Sequence, residues 1–201
     1  MKTTKWITIF LVLSTATAQD WITVKVFNTA PQSATVLPRA EAEASWLFRK
    51  SGIDIDWVNC EGLPGIARGE MCSDRADSFV MVVRGDDSAG VASEMALGFA
   101  LPQIAPGNHG AILYRRITKL VAEMGMVDEP VLFAHAIAHE LGHLLLGSTR
   151  HGQTIMKADW HEADFKLMAQ KRFLFTREQS DMMRAGLSAR RRIDATQMAI
   201  R

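Results

Sequence analysis

The 201-residue chain has one tyrosine, two cysteines, six prolines and almost no surplus charge, with 23 basic residues against 22 acidic ones. Balanced charge argues against a nucleic-acid partner, whose phosphates call for a clear basic excess. Beyond the N-terminus no run is long and apolar enough to span a bilayer, which takes roughly 20 residues. No internal repeat or low-complexity linker divides the chain. What remains is a sequence that is 48% hydrophobic, enough to build one globular domain around its own core.

At the N-terminus, "MKTTKW" supplies two lysines, "ITIFLVL" a short apolar run and Ala16-Thr17-Ala18 a small-residue cleavage site. This is the three-part pattern of a secretory leader. Residues 1–18 are therefore expected to be a signal peptide and 19–201 a single domain beginning at Gln19. Losing Lys2 and Lys5 takes the formal net charge from +1 to about −1. The mature protein is expected to be secreted, extracellular or periplasmic, free of membrane and nucleic acid, and monomeric. In an oxidising compartment, an even cysteine count at short separation reads as a disulfide, Cys60 to Cys72, closing the "EGLPGIARGEM" loop. The basic C-terminal stretch "RAGLSARRR" is expected to be a solvated helix end followed by a frayed tail from about residue 190.

Periodicity orders the elements. "DWITVKVFN" alternates like a strand. From Ser33 to Lys50, Leu37, Ala40, Ala44, Leu47 and Phe48 form one helical stripe that "SG" stops. "IDIDWV" and "SFVMVVRG" are further strands, the second apolar enough to be buried on both faces. "LGFALP" and "GAILYRR" are short strands about a turn-rich "QIAPGNH". Ile117 to Met126 is ambiguous between helix and loop. A helix starts at Pro130, after Asp128 and Glu129, whose charge suits a helix N-terminus, and Gly147 closes it. A short helix is expected around "WHEADFKLM", and a last one from Thr176, where "TREQ" forms a capping box.

The stretch "HAIAHELGHLLLGSTRHGQTIM", His135 to Met156, concentrates the chemistry. His139 and His143 are four apart, so on a helix they stand one turn apart on one face and can converge on one ion. Glu140 points to the flank of that site, where it can take a proton from a zinc-activated water, as the HExxH motif requires. A catalytic zinc usually has three protein ligands and one open position. Gly147 can turn the chain back in the left-handed conformation, and His151 could then reach the metal. The rival third ligand is His161 or Glu162, because zinc proteases of the thermolysin type recruit a glutamate from a later helix. His135 lies about 12 Å along the axis from His143, too far to share an ion with it; it is expected to support a ligand or lie at the surface. His109, in the turn-rich loop, is expected to be solvated.

These residues resemble the signature of the metzincin metalloproteases, HExxHxxGxxH followed by a tight turn with a methionine beneath the zinc. His139, Glu140, His143, Gly147, His151 and Met156 take its places, with the glycine and third histidine four and eight residues past His143 instead of three and six. The order of elements resembles that clan over most of the mature chain. The resemblance implies an α+β zincin fold: a twisted, mixed five-stranded sheet with an active-site helix and a C-terminal helix. It also implies one catalytic zinc ion and a secreted endopeptidase whose edge strand, here "LGFALP", pairs with a peptide or protein substrate. Tyr114 lies on the wrong side of the zinc helix for the methionine-turn tyrosine of some members, leaving oxyanion stabilisation to the zinc and edge-strand backbone. Two other readings stay open: a zinc-stabilised binding module that cuts nothing, and a zincin-fold hydrolase of some other bond. Glu140 counts against the first, since a structural site fills its fourth position with a ligand and needs no base.

Overall fold

The computed structural model describes residues 20–62, 70–72, 78–86, 95–102 and 108–199. The expected signal peptide lies outside them, as do 63–69 of the cysteine loop and 103–107 of the turn-rich loop. Five strands form one sheet: β1 (Asp20–Asn28), β2 (Ile53–Cys60), β3 (Ser78–Arg84), β4 (Gly98–Leu101) and β5 (His109–Leu113), in the order β2-β1-β3-β5-β4. All neighbours are parallel except β4, which runs antiparallel to β5. The inner strands β1 and β3 are buried on both faces over Val24–Phe27 and Ser78–Met81, which is why β3 is nearly continuous in apolar residues. One edge, β2, carries Asp54 and Asp56, charges that discourage pairing with another chain. The other edge, β4, overlooks the site.

Helix α1 (Leu37–Arg49) buries its predicted stripe, Leu37, Ala40, Ala44, Leu47 and Phe48. It starts later than Ser33 because Pro31–Ser33 first form a 3-10 turn, in which the Ser33 hydroxyl bonds the Ala30 carbonyl, and Pro38 then occupies the first helical turn. A second departure follows β5. Tyr114, expected in the strand "GAILYRR", instead opens α2 (Tyr114–Met124), so the ambiguous segment is helical. The strand stops at Leu113 because its partner β3 ends opposite it, at Arg84. Gly125, at φ +60°, closes α2, and the Tyr114 hydroxyl meets the Glu129 carboxylate.

Helix α3 (Glu129–Leu146) is apolar on every side because other elements surround it: α1, α2, α4 (Glu162–Ala169), α5 (Arg177–Ala199), β4 and β5 all pack against it. Leu132, Phe133, Ile137, Leu141 and Leu144 are at most 1% exposed, and each such side chain contributes about 1.5–3 kcal/mol by leaving water. The capping box of α5 forms reciprocally: the Gln179 amide donates to Thr176 Oγ1 at 3.1 Å, and the Thr176 amide to Gln179 Oε1 at 2.9 Å. The expected frayed tail is instead part of α5, which continues to Ala199. Arg190 donates to the Leu144 carbonyl and stacks over Phe79, while Arg191 pairs with Asp20 and donates to the Trp21 carbonyl. These contacts tie the helix to α3 and the sheet, and periodicity could not reveal them.

Cys60 and Cys72 are disulfide-bonded, with Cα atoms 5.8 Å apart, and join the end of β2 to the short 3-10 turn Glu70–Cys72. Closing a loop with a sequence separation of 12 is worth roughly 3 kcal/mol through the unfolded chain. The unreduced protein is thus expected to be two hydrogens lighter by mass and, in urea, about 3 kcal/mol more stable than the Cys60→Ser/Cys72→Ser variant. Two alkylatable thiols in the native protein would remove the basis for this expectation.

Candidate metal centre and its cleft

His139 and His143 project from one face of α3, and Gly147, at φ +61°, ends the helix in the left-handed conformation and directs the chain back. The exposed loop that follows carries His151 to the same place. The three histidines each offer one nitrogen, all within 4.8 Å of one another. Nothing lies within 4 Å of a Cβ built on Gly147. Its glycine is therefore a matter of backbone conformation alone, worth roughly 1–2 kcal/mol against a residue with a Cβ.

The hydrogen bonds of the two helical histidines decide what this group suits. His139 Nδ1 lies 2.7 Å from the Ile155 carbonyl, and His143 Nδ1 lies 2.7 Å from the Ser148 carbonyl. A carbonyl only accepts, so each Nδ1 carries the proton and each Nε2 keeps its lone pair. Those two Nε2 atoms face each other at 3.0 Å. Protonating one would relieve the clash, but burial opposes it. Burial first, then the neighbouring His143 and His151, push His139 down to about 4 against the pull of the Ile155 carbonyl. Burial likewise lowers His143. Two fixed lone pairs converging in a buried place, with a third imidazole alongside, suit a cation; nitrogens bound tetrahedrally to one zinc lie roughly 3.3 Å apart.

Glu140 sits beside this group, 5% exposed, and burial raises its carboxyl to about 8. Strand β4 presses directly on it. A Cβ built on Gly98 would fall 2.9 Å from Glu140 Cγ and Oε1 and 2.6 Å from the Ala111 carbonyl, so only glycine fits there. The Leu113 amide bonds the Leu97 carbonyl at 2.8 Å. By antiparallel alternation Phe99 and Leu101 also face β5, while Gly98 and Ala100 turn their peptide groups outward. Between β4 and the segment after Met156 runs a cleft of about 540 Å³, lined by Leu97, Phe99, Leu120, Trp160 and Phe165 as well as Glu140 and the three histidines.

Met156 ends the short 3-10 turn Thr154–Met156 and is 1% exposed beneath α3. A Cβ on Gly142 would lie 2.6 Å from Met156 Sδ and 3.2 Å from Phe175 Cε1. The glycine within the motif is what lets the methionine come so close. Gly142→Ala would gain about 1 kcal/mol of helix propensity, but overpacking a closed core costs about 1–3 kcal/mol. With Met156 enclosed, the second effect should win. The expected result is a net loss of roughly 1–2 kcal/mol in urea unfolding; a variant more stable than wild type would show that Met156 moves aside freely.

The rival ligands are not part of the histidine group, although His161 lines the same cleft. His161 is the N-cap of α4, its amide donating to Asp164 Oδ2 at 3.0 Å and its carbonyl accepting from the Asp164 amide at 2.8 Å, and Glu162 is exposed and paired with Lys166 at 2.6 Å. His135 is neither ligand nor surface: it is 1% exposed, with its ring nitrogens at the Val131 and Phe173 carbonyls. His109 is not a loop residue but the first residue of β5, half-buried and opposite Val80 and Leu101. Sequence reasoning missed Gly98, Gly142 and Trp160. For the glycines a signal existed, since each interrupts an otherwise apolar strand or helix where it carries a propensity cost.

No family model matches the chain, and no curated protein sequence matches it. Among solved structures the fold is similar to that of archaemetzincin from Methanopyrus kandleri, with a TM-score of 0.50 and 13% identity, over 86% of this chain and 99% of that one. At that identity the likeness is one of fold, and it agrees with the metzincin-like α+β architecture of a five-stranded mixed sheet and helices.

Proposed function

We propose that the chain is a secreted zinc-dependent endopeptidase in which His139, His143 and His151 hold one zinc ion and Glu140 is the general base. The observation that carries this reading is the pair of buried imidazoles with their Nε2 lone pairs turned toward each other at 3.0 Å, next to a buried carboxyl in a cleft bordered by β4, the edge strand of the described sheet. A zinc ion held there would polarise a peptide carbonyl and make water more acidic. His139 and His143 present fixed, neutral nitrogens, and His151 closes the ligand set from the loop, leaving the cleft side open. Glu140 takes the proton from the attacking water and passes it to the leaving amine. Gly98 and Ala100 offer peptide groups to an extended substrate, which adds to β4 as a further strand. The apolar cleft wall receives a substrate side chain. The leader sequence and the Cys60–Cys72 bridge support export, and the likeness in fold to archaemetzincin supports the peptidase reading.

The test is metal analysis of the purified mature chain together with digestion of a peptide library, with and without a chelator. One zinc per chain and chelator-sensitive cleavage are expected. Zinc bound without cleavage of any peptide would replace the enzyme with a zinc-stabilised binding module.

A further inference from the structure

Trp160 lies outside the histidine-rich stretch, between the methionine turn and α4. Its indole N–H donates to the Ile155 carbonyl at 3.2 Å, the same oxygen that accepts the Nδ1 proton of His139 at 2.7 Å. Two donors thus fill both lone pairs of one acceptor. The indole also stands edge-on to the His139 ring, with centroids 5.7 Å apart and planes at 83°. It is wedged from behind by His135 at 6.4 Å and Phe173 at 6.1 Å. The turn that bears Ile155 needs such support. Thr154 has φ +51°, a conformation a β-branched residue rarely adopts and keeps only where its surroundings hold it. The Gln179 side chain grips the front of that turn, at the Gln153 carbonyl and Thr154 hydroxyl; Trp160 grips its far end.

We infer that Trp160 is a positioning residue for the metal centre, holding the Ile155 carbonyl and the ring of His139 so that Nε2 stays aimed at the ion. The inference rests on the metal-centre reading above. Because the same indole lines the cleft, the wall that would face a substrate side chain and the support of a metal ligand are one group. A plain packing residue would stabilise the fold without tuning the metal. A positioning residue tunes the metal through its N–H even when its shape is kept.

The deciding variants are Trp160→Phe and site-specific replacement of Trp160 by benzothienylalanine, which keeps the bicyclic ring and lacks the N–H. Zinc affinity is measured on the mature chain by competition with a chromophoric chelator, and ligand geometry by the visible absorption of the cobalt-loaded protein. Removing a group that orients a metal-bound histidine typically costs 10–100-fold in affinity, so about tenfold weaker zinc is expected for both variants. A shifted cobalt band is expected as well, with the metal-free benzothienylalanine protein still unfolding in one cooperative transition. Should Trp160→Phe fold poorly, the benzothienylalanine protein decides. Zinc affinity within about twofold of wild type and an unaltered cobalt spectrum in that protein would overturn the positioning role while leaving the metal centre standing. Failure of the wild-type chain to bind zinc would instead overturn the proposed function, and this inference with it.

Discussion

Glu140→Gln is expected to retain zinc and fold while slowing peptide cleavage by at least about a hundredfold, the loss that follows removal of a general base. The carboxyl is buried, is raised by that burial to about 8, and is pinned by strand β4 through Gly98. Its place is beside the three histidine nitrogens, which form the donor group without it. Glutamine keeps the volume under Gly98 and removes only the ability to carry the proton. Alanine should cost as much rate but leave a gap against β4. The measurement is kcat/KM on one library-derived peptide, with metal content determined on the same sample. A loss of only a few-fold would take the base role away from Glu140, and loss of the zinc would make it a ligand.

The second large effect separates the two candidates for the third ligand. His151→Ala leaves two nitrogens and should weaken zinc binding by orders of magnitude, whereas Glu162→Ala should change it little. His151 shares the site with His139 and His143, its ring centroid 5.4 and 5.0 Å from theirs. The Glu162 carboxylate is exposed, and its hydrogen bond to Lys166 holds it below the usual carboxylate range. Residues that merely orient a ligand can change affinity 10–100-fold, so only a loss well beyond about a hundredfold assigns a ligand, and both variants must be read in one zinc buffer. If Glu162→Ala or His161→Ala empties the site while His151→Ala leaves it filled, the metzincin-like ligand set is wrong, even for a zinc protease.

Local rules made part of this protein legible without coordinates. The stripe from Leu37 to Phe48, the Thr176–Gln179 capping box, the pairing of His139 with His143 and the left-handed exit at Gly147 each depend on residues a turn or less apart, where helical geometry leaves little choice. The Cys60–Cys72 bridge is nearly as local. Tertiary structure decided whatever depends on a partner distant in the chain. Strand β5 ended at Leu113 because β3 ran out opposite it, and the basic end stayed helical because Arg190 and Arg191 found α3 and β1. His151 joined the other two histidines rather than His161 because the loop after Gly147 led back to α3, while His161 was taken up in capping α4. Met156 and Trp160 acquired their places from Gly142 and the Ile155 carbonyl, a steric gap and a lone pair that exist only once the 3-10 turn Thr154–Met156 has folded beneath the helix. A side chain's type and spacing state what chemistry it can do; whether it meets a partner is settled by how the whole chain buries its apolar surface.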